Sequence, residues 1–173
     1  MNERAGWLAG LESVRDVAVI YDGASDLALM RQPGPRLRVQ QEAQGLHHAL
    51  LEAGLHFDVV DSGNLDPRGY RALVLGDAAS PDEKTRQALE AWVEAGGCLV
   101  VTGETSLYDE QGVRRPDFAW SRLLGVRYRG VSPFREANYA AVAAALRGDA
   151  PEYPILLRGP VLEVEATTAE PLA

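Results

Sequence analysis

Cys98 and the three histidines, His47, His48 and His56, are the residues of this chain best suited to nucleophilic or metal chemistry. A thiol nucleophile needs exposure on a sharp turn and a base within reach. Cys98 instead opens the apolar run Cys98-Leu99-Val100-Val101-Thr102, and every histidine lies far upstream of it. Cysteine is also among the residues most often buried. The expectation is a core cysteine on a buried strand. His47 and His48 are neighbours on a predicted helix, about 100° apart around its axis, so they face one ion poorly. His48 and Glu52 form an i,i+4 pair, but two ligands make a poor metal site. Surface or boundary histidines are expected, with no metal and no cofactor. The turn Asp22-Gly23-Ala24-Ser25-Asp26 lacks both glycine-rich phosphate-binding spacings, and its two aspartates repel a phosphate.

Carboxylates remain. In an open α/β sheet, function gathers at the carboxyl ends of the strands. Here that edge carries Asp22, Asp77 and Glu104, a candidate ligand edge. Paired acids there can perform acid/base work or hold a cation, and they can equally serve as caps and solvated surface. Beyond Thr102 comes a polar stretch, 103–116, longer than the usual connection of about two to six residues. With Tyr108, Arg114, Arg115, Phe118 and Trp120 it suits a protein contact. A surface excursion whose aromatics cover the sheet end is the competing reading.

These residues need elements to position them. Val17-Ala18-Val19-Ile20-Tyr21 is apolar on both faces, as befits a central parallel strand. After a loop at Gln32-Pro33-Gly34-Pro35, helical spacing predicts a helix over 37–53, stopped by Gly54. Strands follow at 56–61 and 72–76. Ser80-Pro81-Asp82-Glu83 combines an N-cap serine, a proline at the first helical position and a capping-box glutamate, opening a helix with Ala88, Leu89, Trp92 and Val93 on one face. A fourth buried strand is expected at 98–102. Three successive strand–helix–strand passages require parallel pairing with right-handed crossovers. Downstream, Asp109-Glu110-Gln111-Gly112 signals a turn, and a short helix over 118–124 is capped by Asp117 and ended by Gly125. Residues 138–146 suit either helix or strand. Residues 155–164 read as one or two strands broken at Gly159-Pro160.

At 173 residues the chain is one domain's worth, read as a single domain over 1–173 and as a piece of a longer multidomain protein. Its 46% apolar and 24% charged residues are those of a soluble globular protein. A net charge of -8 argues against nucleic acid or an anionic membrane as partner. With one cysteine no internal disulfide forms, and no secretory core or spanning run is visible. A cytoplasmic location is the default expectation.

Several runs carry a family resemblance: Tyr70-Arg71-Ala72-Leu73-Val74-Leu75, Ser80-Pro81-Asp82-Glu83, Val93-Glu94-Ala95-Gly96-Gly97, Thr102-Gly103-Glu104-Thr105-Ser106-Leu107-Tyr108-Asp109, Leu123-Leu124-Gly125-Val126 and Pro154-Ile155-Leu156-Leu157-Arg158-Gly159-Pro160. Together they resemble the glutamine-amidotransferase-like domains of carbohydrate-active enzymes, and among them the β-galactosidase trimerisation domain of glycoside hydrolase family forty-two. The resemblance implies a three-layer, flavodoxin-like α/β fold with a mainly parallel sheet. It also implies an accessory, oligomerising role without catalysis, with self-association or a glycosidase domain as partner. True class I amidotransferases place a nucleophilic cysteine on the turn after the fourth strand. Gly103-Glu104-Thr105 occupies that turn here, and no histidine follows it. The alternative is a small-molecule or sugar-binding protein using Asp22, Asp77 and Glu104.

Overall fold

The computed structural model describes residues 9–11, 14–31, 38–148 and 152–171. The loop expected at 32–35 lies outside these residues. The body of the molecule is built on β1 (Val17–Tyr21), β2 (Phe57–Asp61), β3 (Ala72–Gly76) and β4 (Cys98–Thr102), all parallel, in the order β2-β1-β3-β4. Helix α1 (Gly23–Leu29) follows β1, α2 (Arg38–Glu52) leads to β2, and α3 (Glu83–Glu94) joins β3 to β4. The passage from β2 to β3 departs from expectation. It carries two 3-10 turns, Ser62–Asn64 and Pro67–Gly69, and no α-helix, because Pro67 and Gly69 leave too short a run for one.

The central strands are apolar on both faces because both faces are covered. Ala18, Val19, Ile20, Leu73 and Leu75 are all 2% exposed or less. Ala18, Ile20, Leu73 and Leu75 pack with Leu89 and Trp92 of α3 and with Trp120. Alternation along β3 turns Val74 and Gly76 to the other face. There the Leu46 and Glu42 side chains of α2 lie so close that a Cβ on Gly76 would meet Leu46 at 2.7 Å. A side chain at that position would require Leu46 to shift.

Two expectations are corrected. β4 is not a buried central strand: among the described residues it pairs only with β3 and forms an edge, so Cys98 is exposed and Val100 is 45% exposed. Apolar runs look alike at centre and edge; the missing neighbour makes the difference. Ser80 is also not the cap of α3. Asp82 caps it, accepting from Thr85 N at 2.6 Å, while the Ser80 hydroxyl donates to the Asp109 carbonyl. A stretch with two capping side chains offers two registers, and the buried serine was taken by the neighbouring loop.

The remainder forms an antiparallel arm. After α4 (Ser121–Leu124) come β5 (Val126–Val131), β6 (Ala137–Ala140), α5 (Ala144–Arg147), β7 (Ile155–Arg158) and β8 (Leu162–Ala166). β5 pairs with β8, bulged between Tyr128 and Gly130, and β6 pairs with β7. The stretch 138–146 therefore divides into strand then helix, and the break at Gly159-Pro160 separates two strands as read. The predicted helix over 118–124 shortens to its last turn. Asp117 accepts instead from Phe118 N and Tyr128 N, both at 2.8 Å, and so anchors β5. Gly125 ends α4 with φ +67, and its carbonyl accepts from the Thr167, Thr168 and Ala169 amides, fastening the end of the arm to the body. Among the described residues no helix is long and apolar enough to cross a membrane.

Candidate functional site: the carboxyl edge of the sheet

Each parallel strand ends in a polar turn, and the three candidate acids occupy three of them. Asp22 follows β1 and is 1% exposed. Ser25 Oγ donates to one carboxylate oxygen at 2.5 Å and Ser62 Oγ to the other at 2.8 Å. Ser25 Oγ in turn accepts from Ser80 N at 2.8 Å. The aspartate thus joins the ends of β1, β2 and β3 in one buried network. Burial pushes its carboxyl above the ordinary aspartate value, and the hydrogen bonds from Ser25 and Ser62 pull the other way.

Asp77 follows β3 and takes a left-handed backbone, φ 46, which aspartate tolerates better than most residues. It is 4% exposed, and its Oδ1 accepts from Glu104 N at 2.6 Å. That bond ties the turn after β4 to the turn after β3. Gly103 sits between them with φ +59, and a Cβ there would lie 2.3 Å from Asp77 Oδ1. The carboxylate fills the space that any side chain on residue 103 would need. The turn after β4 is therefore sterically closed at residue 103.

Glu104 turns away from Asp77. Its carboxylate accepts from Arg114 at 3.0 Å and from Tyr108 OH at 3.2 Å. Arg114 also donates to Tyr128 OH at 2.6 Å and lies over the Tyr128 ring at 4.8 Å from its centre. A carboxylate, a guanidinium and two tyrosines so bind the 103–116 loop to β5. The loop itself closes as a turn, with a bridge between Tyr108 and Arg114 and with Gln111 N and Val113 N both donating to Asp109 Oδ1.

The residues proposed as a contact surface divide by burial. Phe118 and Trp120 are 6% and 1% exposed and belong to the interior, Trp120 to the main core. Arg114 and Arg115 are exposed and Tyr108 is half-buried. Aromatic type alone does not distinguish an anchor of the core from an anchor of an interface. Trp120 follows the loop at the point where the chain re-enters the core, and its amide donates to Ser106 Oγ at 3.3 Å.

A cleft of about 1070 Å³ opens beside this edge, between the body and the arm. Asp77, Thr102 and Val101 line it from the body, Leu157, Val161 and Val164 from the arm. Asp22 and Glu104 do not line it, so the three acids do not meet in one cavity. Among the described residues no three His, Cys, Asp or Glu side chains gather as a metal site. His48 and His56 are exposed, and His47 packs edge-on against Phe57 with ring centres 5.3 Å apart.

The residues that sequence reasoning passed over lie on the arm. Phe134, Tyr139, Tyr153, Ile155 and Leu156 are 70%, 73%, 76%, 49% and 44% exposed. Their signal was present in the sequence: an apolar strand, 155–157, in a part of the chain with no helix long enough to cover it.

The molecule is a mainly parallel α/β body whose edge acids bond to neighbouring turns, carrying an antiparallel arm with exposed apolar side chains. The chain belongs to the β-galactosidase trimerisation domain family, whose sequence pattern matches residues 15–171. It is 34% identical over 114 residues to the β-galactosidase BglY of Alicyclobacillus acidocaldarius, covering 64% of this chain and 16% of that protein. Solved β-galactosidases from a Rahnella species and from Bacillus circulans share the fold, with TM-scores of 0.83 and 0.84 at 20% and 17% identity. In both, the likeness covers 98% of this chain and 26% of the other. The chain thus spans about a sixth to a quarter of the length of these three proteins.

Proposed function

We propose that this chain is the assembly domain of a larger β-galactosidase, bringing three parent copies together while the glycosidase chemistry resides elsewhere in the parent. The observation that carries the reading is the family match over 15–171, joined to the state of the edge acids. Asp22 and Asp77 each tie two turns together, and Glu104 braces the 103–116 loop through Tyr108 and Arg114, which are structural duties. The flavodoxin-like, three-layer description belongs to the same proposal. What supports it is the strand order β2-β1-β3-β4, the first four positions of the flavodoxin order, with α2 and α3 against opposite faces. Within the 103–116 loop, Tyr108, Arg114 and Arg115 remain the candidates for a polar rim of the contact.

Light scattering across a concentration series tests the assembly reading. A trimer, three times 18.7 kDa, is the expected mass. A strict monomer at every concentration would end the proposal for this chain.

A further inference from the structure

We infer that the outward face of the β6–β7 ribbon, centred on the cross-strand pair Tyr139 and Leu156, is the surface that meets a second copy of this chain. The inference rests on the assembly reading above and adds the contact surface to it.

The ribbon is underpacked as it stands. β6 and β7 pack on each other and only marginally on any other element. A two-stranded ribbon is at best marginally stable in water and needs a further layer against an apolar face. Cross-strand partners share a face, so Tyr139 with Leu156 lies on one side, and Asn138 with Leu157 on the other. The second side looks inward: Leu157 lines the cleft, and Asn138 donates to the carbonyls of Phe134 and Gly159. Tyr139 and Leu156, 73% and 44% exposed, therefore face out. Phe134 and Tyr153, 70% and 76% exposed, flank them in the sequence at either end of the ribbon. Large apolar side chains left exposed together on one face mark an interaction site.

Charge selects the occupant. The whole chain carries -8, so copies repel one another as they approach. Residues 126–166 contain five arginines and five acids and are neutral. The rest contains twelve basic against twenty acidic residues and holds the entire -8. Contact through the arm is the approach that brings apolar surface together without setting one acidic body against another. A closed ring of three also requires a head-to-tail contact, in which one patch meets a different patch on the next copy. The free face of the ribbon supplies one of those two patches.

The test compares the full chain with Tyr139→Asp/Leu156→Asp and with the milder Tyr139→Ser/Leu156→Ser, by light scattering and circular dichroism. Val59→Asp, at a body position 56% exposed, is the control. The expected result is a fall from trimer mass to 18.7 kDa in both arm variants, with folded spectra, and an unchanged trimer in the control. An arm variant that folds and stays trimeric overturns the inference, leaves the assembly reading intact, and assigns the ribbon to the parent's catalytic part. A wild-type chain that is monomeric throughout overturns the assembly reading and the inference with it.

Discussion

The body and the arm solve the same problem, burying apolar side chains, in opposite ways. In the body, Ile20, Leu73, Leu75, Leu89 and Trp120 find their partners within the chain. In the arm, Tyr139, Ile155 and Leu156 are left half or more exposed by their own chain or close to it. The polar groups divide likewise. Those of the body's edge are buried and bonded across turns, as in the Asp22–Ser25–Ser80 network. Those of the arm pair on its surface, as Arg129 with Glu165 and Arg147 with Glu152. On the contact proposed above, stability and assembly fall to separate residues, so each can be perturbed alone.

The strongest way to break that separation is Trp120→Ala. Removing a fully buried indole costs about 3–5 kcal/mol, and chemical denaturation should show the loss in the body. Any fall in assembly then follows from unfolding, and refolding by a stabilising osmolyte should restore it. Gly103→Ala comes next. A side chain at φ +59 with a carboxylate 2.3 Å from its Cβ costs about 1–3 kcal/mol in strain alone. Adding Asp77→Gly should recover the steric part and not the backbone part, and a double-mutant cycle measures that coupling. A smaller effect is expected from Asp22→Asn. Folding raises this carboxyl, so the native chain binds its proton more tightly than the unfolded chain does. Stability from this group falls as pH rises from the unfolded value of 3.8 through the raised native one, and is level above it. The asparagine variant should lack that slope, read from denaturation midpoints across the acid range. The milder Tyr139→Ser/Leu156→Ser change, being on the surface, should move the stability of the single chain by no more than about 0.5 kcal/mol per site.

Strands β1, β3 and β4 were legible to the residue, since five consecutive apolar or small residues between polar turns admit little else. Pairing was legible too, because short parallel connections leave few topologies. Position within the sheet was not: Cys98 sits in a run as apolar as Val17–Tyr21, and only the absent neighbour exposes it. Helix α1 was hidden in a turn-like string, Asp22 to Asp26, whose polar members are consumed by tertiary hydrogen bonds. β5 was passed over because it alternates arginine with Val126, Tyr128 and Gly130 and has no local signal until β8 pairs with it. The edge acids were found by position. Their commitment to serine hydroxyls and backbone amides from distant turns needed coordinates. Trp120 and Tyr139 show the limit in another form: both are aromatic and follow loops, yet one is core and the other surface.

The closed turn at Gly103 also constrains how this sequence can change across generations. A side chain at 103 is resisted while Asp77 is in place, and losing Asp77 first removes the partner of the Glu104 amide. A route to any other residue at that turn passes through a less stable ancestor in either order, with the change at 77 the easier first step. The two positions hold each other: neither changes singly without cost to the turn.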